Sequence, residues 1–140
     1  MNASSSDLLY VAGIAPRSGT NYFYRLITDH PSCVAAAGGE DYFLLKSELL
    51  HLFAESVYTK WNSGWGFKQN NSPDHILGAL GDGLIQFLRS QCTDEDDSCE
   101  TTVVTVTPHV NNIRRFPKLF PEGHLVILVR DGRAVTEASI

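Results

Sequence analysis

Apolar and polar positions divide this chain into short apolar runs that alternate with stretches of helical periodicity. Leu8-Leu9-Tyr10-Val11-Ala12 is a continuous apolar run whose length and residue types suit a buried strand. A tight segment follows, Gly13-Ile14-Ala15-Pro16-Arg17-Ser18-Gly19-Thr20. Tyr22, Phe23, Leu26 and Ile27 then recur at helical spacing, and His30-Pro31 ends the run. Cys33 to Gly39 is small and loop-like. From Tyr42 onward, Phe43, Leu44, Leu45, Leu49, Leu50, Leu52 and Phe53 predict an amphipathic helix through about residue 58. A Gly- and Asn-rich connection carries Trp61, Trp65 and Phe67, which either line a pocket or plug the edge of a core. His75 to Arg89 predicts a second helix with Ile76, Leu77, Leu80, Leu84, Ile85 and Leu88 on its apolar face. Its glycines, Gly78, Gly81 and Gly83, either weaken it or mark close packing. Thr101 to Thr107 is rich in β-branched residues and predicts a strand that Pro108 stops. Val110 to Phe116 suits a short helix, and Pro117 and Pro121 bracket Lys118-Leu119-Phe120. His124 to Val129 predicts another strand, after which Arg130-Asp131-Gly132-Arg133 turns the chain into a final helical stretch. Strands alternating with helices imply a parallel sheet covered on both faces, a three-layer α/β architecture.

Composition narrows the class of protein. A chain of 140 residues, 43% hydrophobic and 19% charged, is long enough for one domain with a real core. The net charge of −5 disfavours a general nucleic-acid binder, so no nucleic-acid partner is expected. Arg114, Arg115, Lys118, Arg130 and Arg133 cluster late in the chain, so a local anion site inside an acidic protein is compatible with that sum. Asp94-Glu95-Asp96-Asp97 lacks the glycine and terminal glutamate of a calcium loop and reads as a solvated turn. Residues 1–7 read as a short disordered polar tail without the features of a signal peptide. No run approaches the ~20 apolar residues of a membrane span. The expectation is a cytoplasmic protein with no membrane partner. The odd cysteine count, Cys33, Cys92 and Cys99, then reads as free thiols, with a Cys92–Cys99 pairing as the alternative under oxidation.

The segment after the first strand carries chemistry. Strand, glycine loop and helix together aim free backbone N–H groups at an anion on the helix N-terminus. Gly19 admits close backbone approach, Ser18 and Thr20 add hydroxyls, and Arg17 adds a permanent charge with a forked donor set. The Walker loop needs four residues between its glycines and a Lys after the second. Here five residues separate Gly13 from Gly19, and Thr20 stands at the Lys position. An ordinary ATP- or GTP-using enzyme is therefore disfavoured.

The run Pro16-Arg17-Ser18-Gly19-Thr20 resembles the 5′-phosphosulfate loop of sulfotransferases, which use 3′-phosphoadenosine 5′-phosphosulfate (PAPS) as sulfuryl donor. Leu119-Phe120-Pro121, an apolar strand and then Val129-Arg130-Asp131-Gly132-Arg133-Ala134 resemble the same family's 3′-phosphate segment. The wording is close to the tyrosylprotein enzymes and their bacterial relatives, as is the placement of His30-Pro31. The resemblance implies a P-loop-like fold over residues 8–140, a sulfotransferase domain truncated at its C-terminus. It places the 5′-phosphosulfate loop at 15–21 and the 3′-phosphate motif at 129–139. Arg17, Ser18, Gly19, Thr20 and Asn21 would hold the 5′ end, Arg130 and Ser139 the 3′-phosphate, and no metal is called for. Gly39-Glu40 matches a Gly-Glu pair that supplies the general base, so Glu40 and Arg17 would be catalytic; Glu40 as a helix cap remains open. His109 is the other candidate base, or a surface or N-cap histidine. Asp131 and Arg133 would organise the turn. The acceptor would be a hydroxyl or amine on a small molecule, carbohydrate or peptide, and the oligomeric state is open. Three departures stand out. Val106 replaces a Lys common in the family, Ser139 lies one step past the family's Ser position, which is Ala138 here, and the sequence ends at Ile140 where the family domain normally continues. The missing Lys and the missing C-terminal part keep a non-catalytic nucleotide-binding module in play as the alternative, with a nucleotide kinase behind it.

Overall fold

A computed structural model describes residues 8–40, 42–64, 72–92 and 102–133. Four strands, β1 (Leu8–Gly13), β2 (Cys33–Glu40), β3 (Thr102–Thr107) and β4 (His124–Leu128), form one sheet in the order β2-β3-β1-β4. All three pairings are parallel. The described helices are α1 (Thr20–Thr28), α2 (Phe43–Gly64), α3 (Pro73–Ser90) and the short α4 (Phe116–Leu119). The protein is thus α/β with an all-parallel four-stranded sheet.

The two-residue period of the strands sorts side chains onto two faces. Leu8, Tyr10 and Val103 face Leu44, Ala54, Leu77, Ile85, Leu88, Phe116, Leu119 and Phe120, contributed by α2, α3 and the α4 segment. Val11, Val104 and Val106 face the other way, with Phe23, Tyr24 and Ile27 of α1 packed on them. Helices therefore cover both faces, and the continuous apolar runs of β1 and β3 follow from burial on both sides. Each fully buried Val or Leu in these layers contributes about 1.5–3 kcal/mol. Tyr10, Phe116 and Phe120 form a ring cluster, with centroids 5.7 Å apart for Tyr10–Phe116 and 5.4 Å for Phe116–Phe120. This cluster ties the central strand to the segment that leads into β4.

Close packing explains one glycine of α3 and not the next. A Cβ at Gly81 would overlap the backbone carbonyl of Leu119, so α3 and α4 meet with no room for a side chain. Gly83 has nothing within 4 Å of where its Cβ would stand.

Several expectations need correction. Cys33 to Gly39 is not a loop but strand β2, at the edge of the sheet. Its alanines and glycines have little intrinsic strand preference; pairing of Cys33 to Ala35 and of Glu40 with β3 anchors the strand, and the register is irregular between Ala35 and Glu40. Helix α2 runs to Gly64, so Trp61 lies on that helix, half exposed, rather than in the connection. Trp65 and Phe67 lie outside the described residues, as do residues 1–7, the Asp94–Asp97 run and Cys99. In place of a helix from Val110, a 3-10 turn (Ile113–Arg115) leads into α4, and Pro117 sits in the first turn of α4, where a missing N–H costs nothing. No described helix is long and apolar enough to cross a membrane. Cys33 is a free thiol whose pKa burial pushes up.

Candidate functional site

Because every strand is parallel, all four carboxyl ends lie on one edge of the sheet. The chain leaves the neighbouring strands β1 and β3 in opposite directions, toward β2 on one side and β4 on the other. Such a switch point is where open parallel sheets place a ligand crevice. A cleft of about 640 Å³ lies there. Pro16, Arg17, Gly19, Thr20 and Asn21 line it from the β1 side, Glu40 from the end of β2, Pro108 and His109 from beyond β3, and Arg130 from beyond β4.

The β1–α1 loop is built for tightness. Gly13 suits the packing, because a Cβ there would lie 2.8 Å from the Thr20 methyl, 3.2 Å from the Ala15 carbonyl oxygen and 3.3 Å from Ser18 Cβ, and something would have to shift. Arg17 (φ 68°) and Gly19 (φ 92°) both take left-handed backbone conformations, rare for a residue as large as Arg. Ser18 is buried; its Oγ donates to the Ala15 carbonyl at 2.6 Å and accepts from the Ala15 N–H at 3.1 Å. The hydroxyl expected to face a ligand is instead turned inward and shapes the loop. Helix α1 opens at Gly19 with no side-chain cap and no acidic residue in its first turn. Its first amides therefore have neither an intrahelical acceptor nor a competing carboxylate, the arrangement that attracts an anion.

The second motif reaches the same place through the sheet register. Gly13 pairs with Leu128, and the Ile14 N–H donates to the Leu128 carbonyl at 3.0 Å. Arg130, two residues on, then donates from Nη1 to the carbonyl oxygen of Arg17 at 3.1 Å. Residues 113 positions apart in the chain thus touch. The Arg17 guanidinium has no hydrogen bond or ion pair among the described residues, and no described carboxylate pairs with Arg130. Two cations with no ion-pair partner among the described residues thus border the cleft that Glu40 also lines, an excess of positive charge that favours an anion.

Glu40 is the last residue of β2 and exposed, and α2 begins three residues later with no acid in its first turn. The helix-cap alternative therefore falls away. The Tyr42 hydroxyl donates to Glu40 Oε2 at 3.4 Å. His109 lies across the cleft after Pro108, half-buried, so both candidate bases share the cleft. Asp131 accepts the Arg133 N–H at 2.9 Å and organises the turn after β4, as expected. His30-Pro31 stands at the opposite end of the sheet, where His30 Nδ1 accepts the Ser32 N–H at 3.2 Å, a turn-forming role. Val106 is fully buried against α1, so that position points into the core rather than the cleft. Ser139 and Ala138 lie outside the described residues. Pro16 and Pro108 as cleft walls, and the Arg130–Arg17 contact, carried no signal in the sequence beyond standing near strand ends.

Comparison with protein-family models, with curated proteins and with solved structures found no match.

Proposed function

We propose that the chain has a P-loop-like nucleotide fold and is a sulfotransferase that takes its sulfuryl group from PAPS and passes it to an acceptor hydroxyl or amine. One observation carries this reading: two motifs from opposite ends of the chain, each with an arginine, meet at a single cleft through the Arg130–Arg17 contact. A donor with a phosphosulfate at one end and a phosphate at the other calls for two such anion positions, whereas an ATP site would call for the Lys that Thr20 replaces.

In this reading the first amides of α1, with Arg17 and Thr20, hold the 5′-phosphosulfate, and Arg130 takes the 3′-phosphate. The acceptor oxygen attacks sulfur in line, a new S–O bond forms, and the bond from sulfur to the 5′-phosphate oxygen breaks. Arg17 and the helix N-terminus neutralise the charge that the departing phosphate gains. Glu40 accepts the proton of the acceptor hydroxyl. The protein's contribution is mainly positioning and charge neutralisation.

The buried Val106 favours a second reading, a nucleotide-binding module without turnover, since that side chain supplies no cation to the transferring group. Calorimetric titration of PAPS, of adenosine 3′,5′-bisphosphate and of ATP with magnesium separates the readings, followed by a transfer assay with hydroxyl and amine acceptors. Binding of the first two with transfer supports the enzyme; binding without transfer supports the module; magnesium-dependent ATP binding alone indicates a kinase.

A further inference from the structure

We infer that Arg130 is a positioning residue for the phosphate loop as well as a 3′-phosphate ligand, so that it couples the two anion positions. The inference rests on the nucleotide reading above and assigns within it a contact that neither motif contains by itself.

The peptide between Arg17 and Ser18 lies within the β1–α1 loop. Its carbonyl oxygen accepts from Arg130 Nη1 at 3.1 Å, and its N–H donates to the Ala15 carbonyl at 3.2 Å. The plane of this peptide is therefore held on both sides. It is also the peptide that follows Arg17 in its left-handed conformation, which a non-glycine side chain rarely adopts unless surrounding contacts impose it. The direction of this plane sets where Gly19, also left-handed, and the first amides of α1 point. The Ser18 side chain fixes one end of the loop by bonding to Ala15, and among the described residues the bond from Arg130 is what holds the Arg17 carbonyl at the other.

A guanidinium has five N–H donors in a planar fork, so a bond from Nη1 leaves further donors for a phosphate. Arg130 has no carboxylate partner among the described residues to draw it elsewhere. A 3′-phosphate bound to those remaining donors holds the guanidinium against the Arg17 carbonyl and so holds the loop in its anion-binding form. The two phosphates of one ligand then bind better together than their separate contributions predict.

The test uses a ligand that lacks the 3′-phosphate. Adenosine 5′-monophosphate and adenosine 3′,5′-bisphosphate are titrated calorimetrically into the wild-type chain and into Arg130→Gln, with melting curves confirming the fold. Coupling predicts that Arg130→Gln weakens the monophosphate about fivefold or more, in addition to removing the bisphosphate's advantage. The loss persists at high salt, where a simple long-range charge effect is screened away. A folded Arg130→Gln variant that binds the monophosphate as well as wild type, or whose loss vanishes at high salt, overturns the inference while leaving the 3′-phosphate assignment standing. Should Arg130→Gln not fold, Arg130→Lys gives the answer. One ammonium bonded to the Arg17 carbonyl keeps monophosphate affinity near wild type while the bisphosphate's advantage shrinks; an undiminished advantage overturns the inference. A wild-type chain that binds neither nucleotide removes the nucleotide reading itself, and the inference with it.

Discussion

Gly13→Ala is the perturbation that bears most directly on the architecture of the loop. The added methyl would meet the Thr20 methyl at 2.8 Å, the Ala15 carbonyl oxygen at 3.2 Å and Ser18 Cβ at 3.3 Å. Contact below 3.0 Å forces a shift, and the tightest neighbour is a side-chain methyl on a residue that is only 5% exposed. The Ala15 oxygen cannot retreat freely, because it accepts both the Ser18 N–H and the Ser18 hydroxyl. Strain therefore falls on Thr20 and on the loop around it rather than on the sheet. Overpacking of this kind costs about 1–3 kcal/mol, and because Thr20 can rotate the stability loss should lie near the low end, about 1 kcal/mol. Binding at the proposed anion site should suffer more: moving the start of α1 misaligns the donors, and one lost charge-assisted hydrogen bond is worth on the order of 1.5–3 kcal/mol, tenfold or more in affinity. Urea unfolding gives the first quantity and calorimetry with adenosine 3′,5′-bisphosphate the second. Gly83→Ala, on the open side of α3, serves as the control. If Gly13→Ala is as stable as wild type and binds the bisphosphate equally well, the loop is neither close-packed at Gly13 nor the proposed anion site.

Three further outcomes follow from the same structure. Gly81→Ala should destabilise by about 3 kcal/mol or more in urea unfolding, since α3 must separate from the Leu119 carbonyl, whereas Gly83→Ala should gain about 0.5–1 kcal/mol; equal effects would contradict the packing. Arg17→Ala should weaken bisphosphate binding about tenfold or more with an unchanged melting curve, because its guanidinium is exposed and supports no described contact; unfolding with intact affinity would make Arg17 structural. Glu40→Gln should lower turnover about 10²–10⁴-fold with near-normal donor affinity, and His109→Ala should retain activity; the reverse pattern in a transfer assay moves the base to His109.

The sheet's central strands were legible because burial on both faces leaves a plain signature. Leu8 to Ala12 and Val103 to Val106 are apolar or β-branched without interruption, and no helix or loop suits them better. Strand β2 was not legible, because Ala35 to Gly39 carry little strand preference of their own and the strand is anchored by the pairing of Cys33 to Ala35 and of Glu40 with β3. That miss also misplaced Glu40, which ends a strand instead of standing between a loop and a helix. Helix α2 outran its expected end because the polar residues after Tyr58 do not forbid helix, and Gly64 is where it stops. In the loop, Gly13 and Gly19 were legible as punctuation, but the inward turn of Ser18 and the left-handed Arg17 depend on contacts among Ala15, Ser18 and Arg130. The convergence of Arg17 and Arg130 depends on β4 pairing beside β1, a fact of topology that no local pattern encodes.

The claim that two arginine motifs form one two-phosphate site meets its most direct test in a single calorimetric comparison of adenosine 3′,5′-bisphosphate with adenosine 5′-monophosphate. The bisphosphate should bind at least about tenfold more tightly, the worth of one charge-assisted contact to the 3′-phosphate. Equal affinities, or no binding of either, would contradict it.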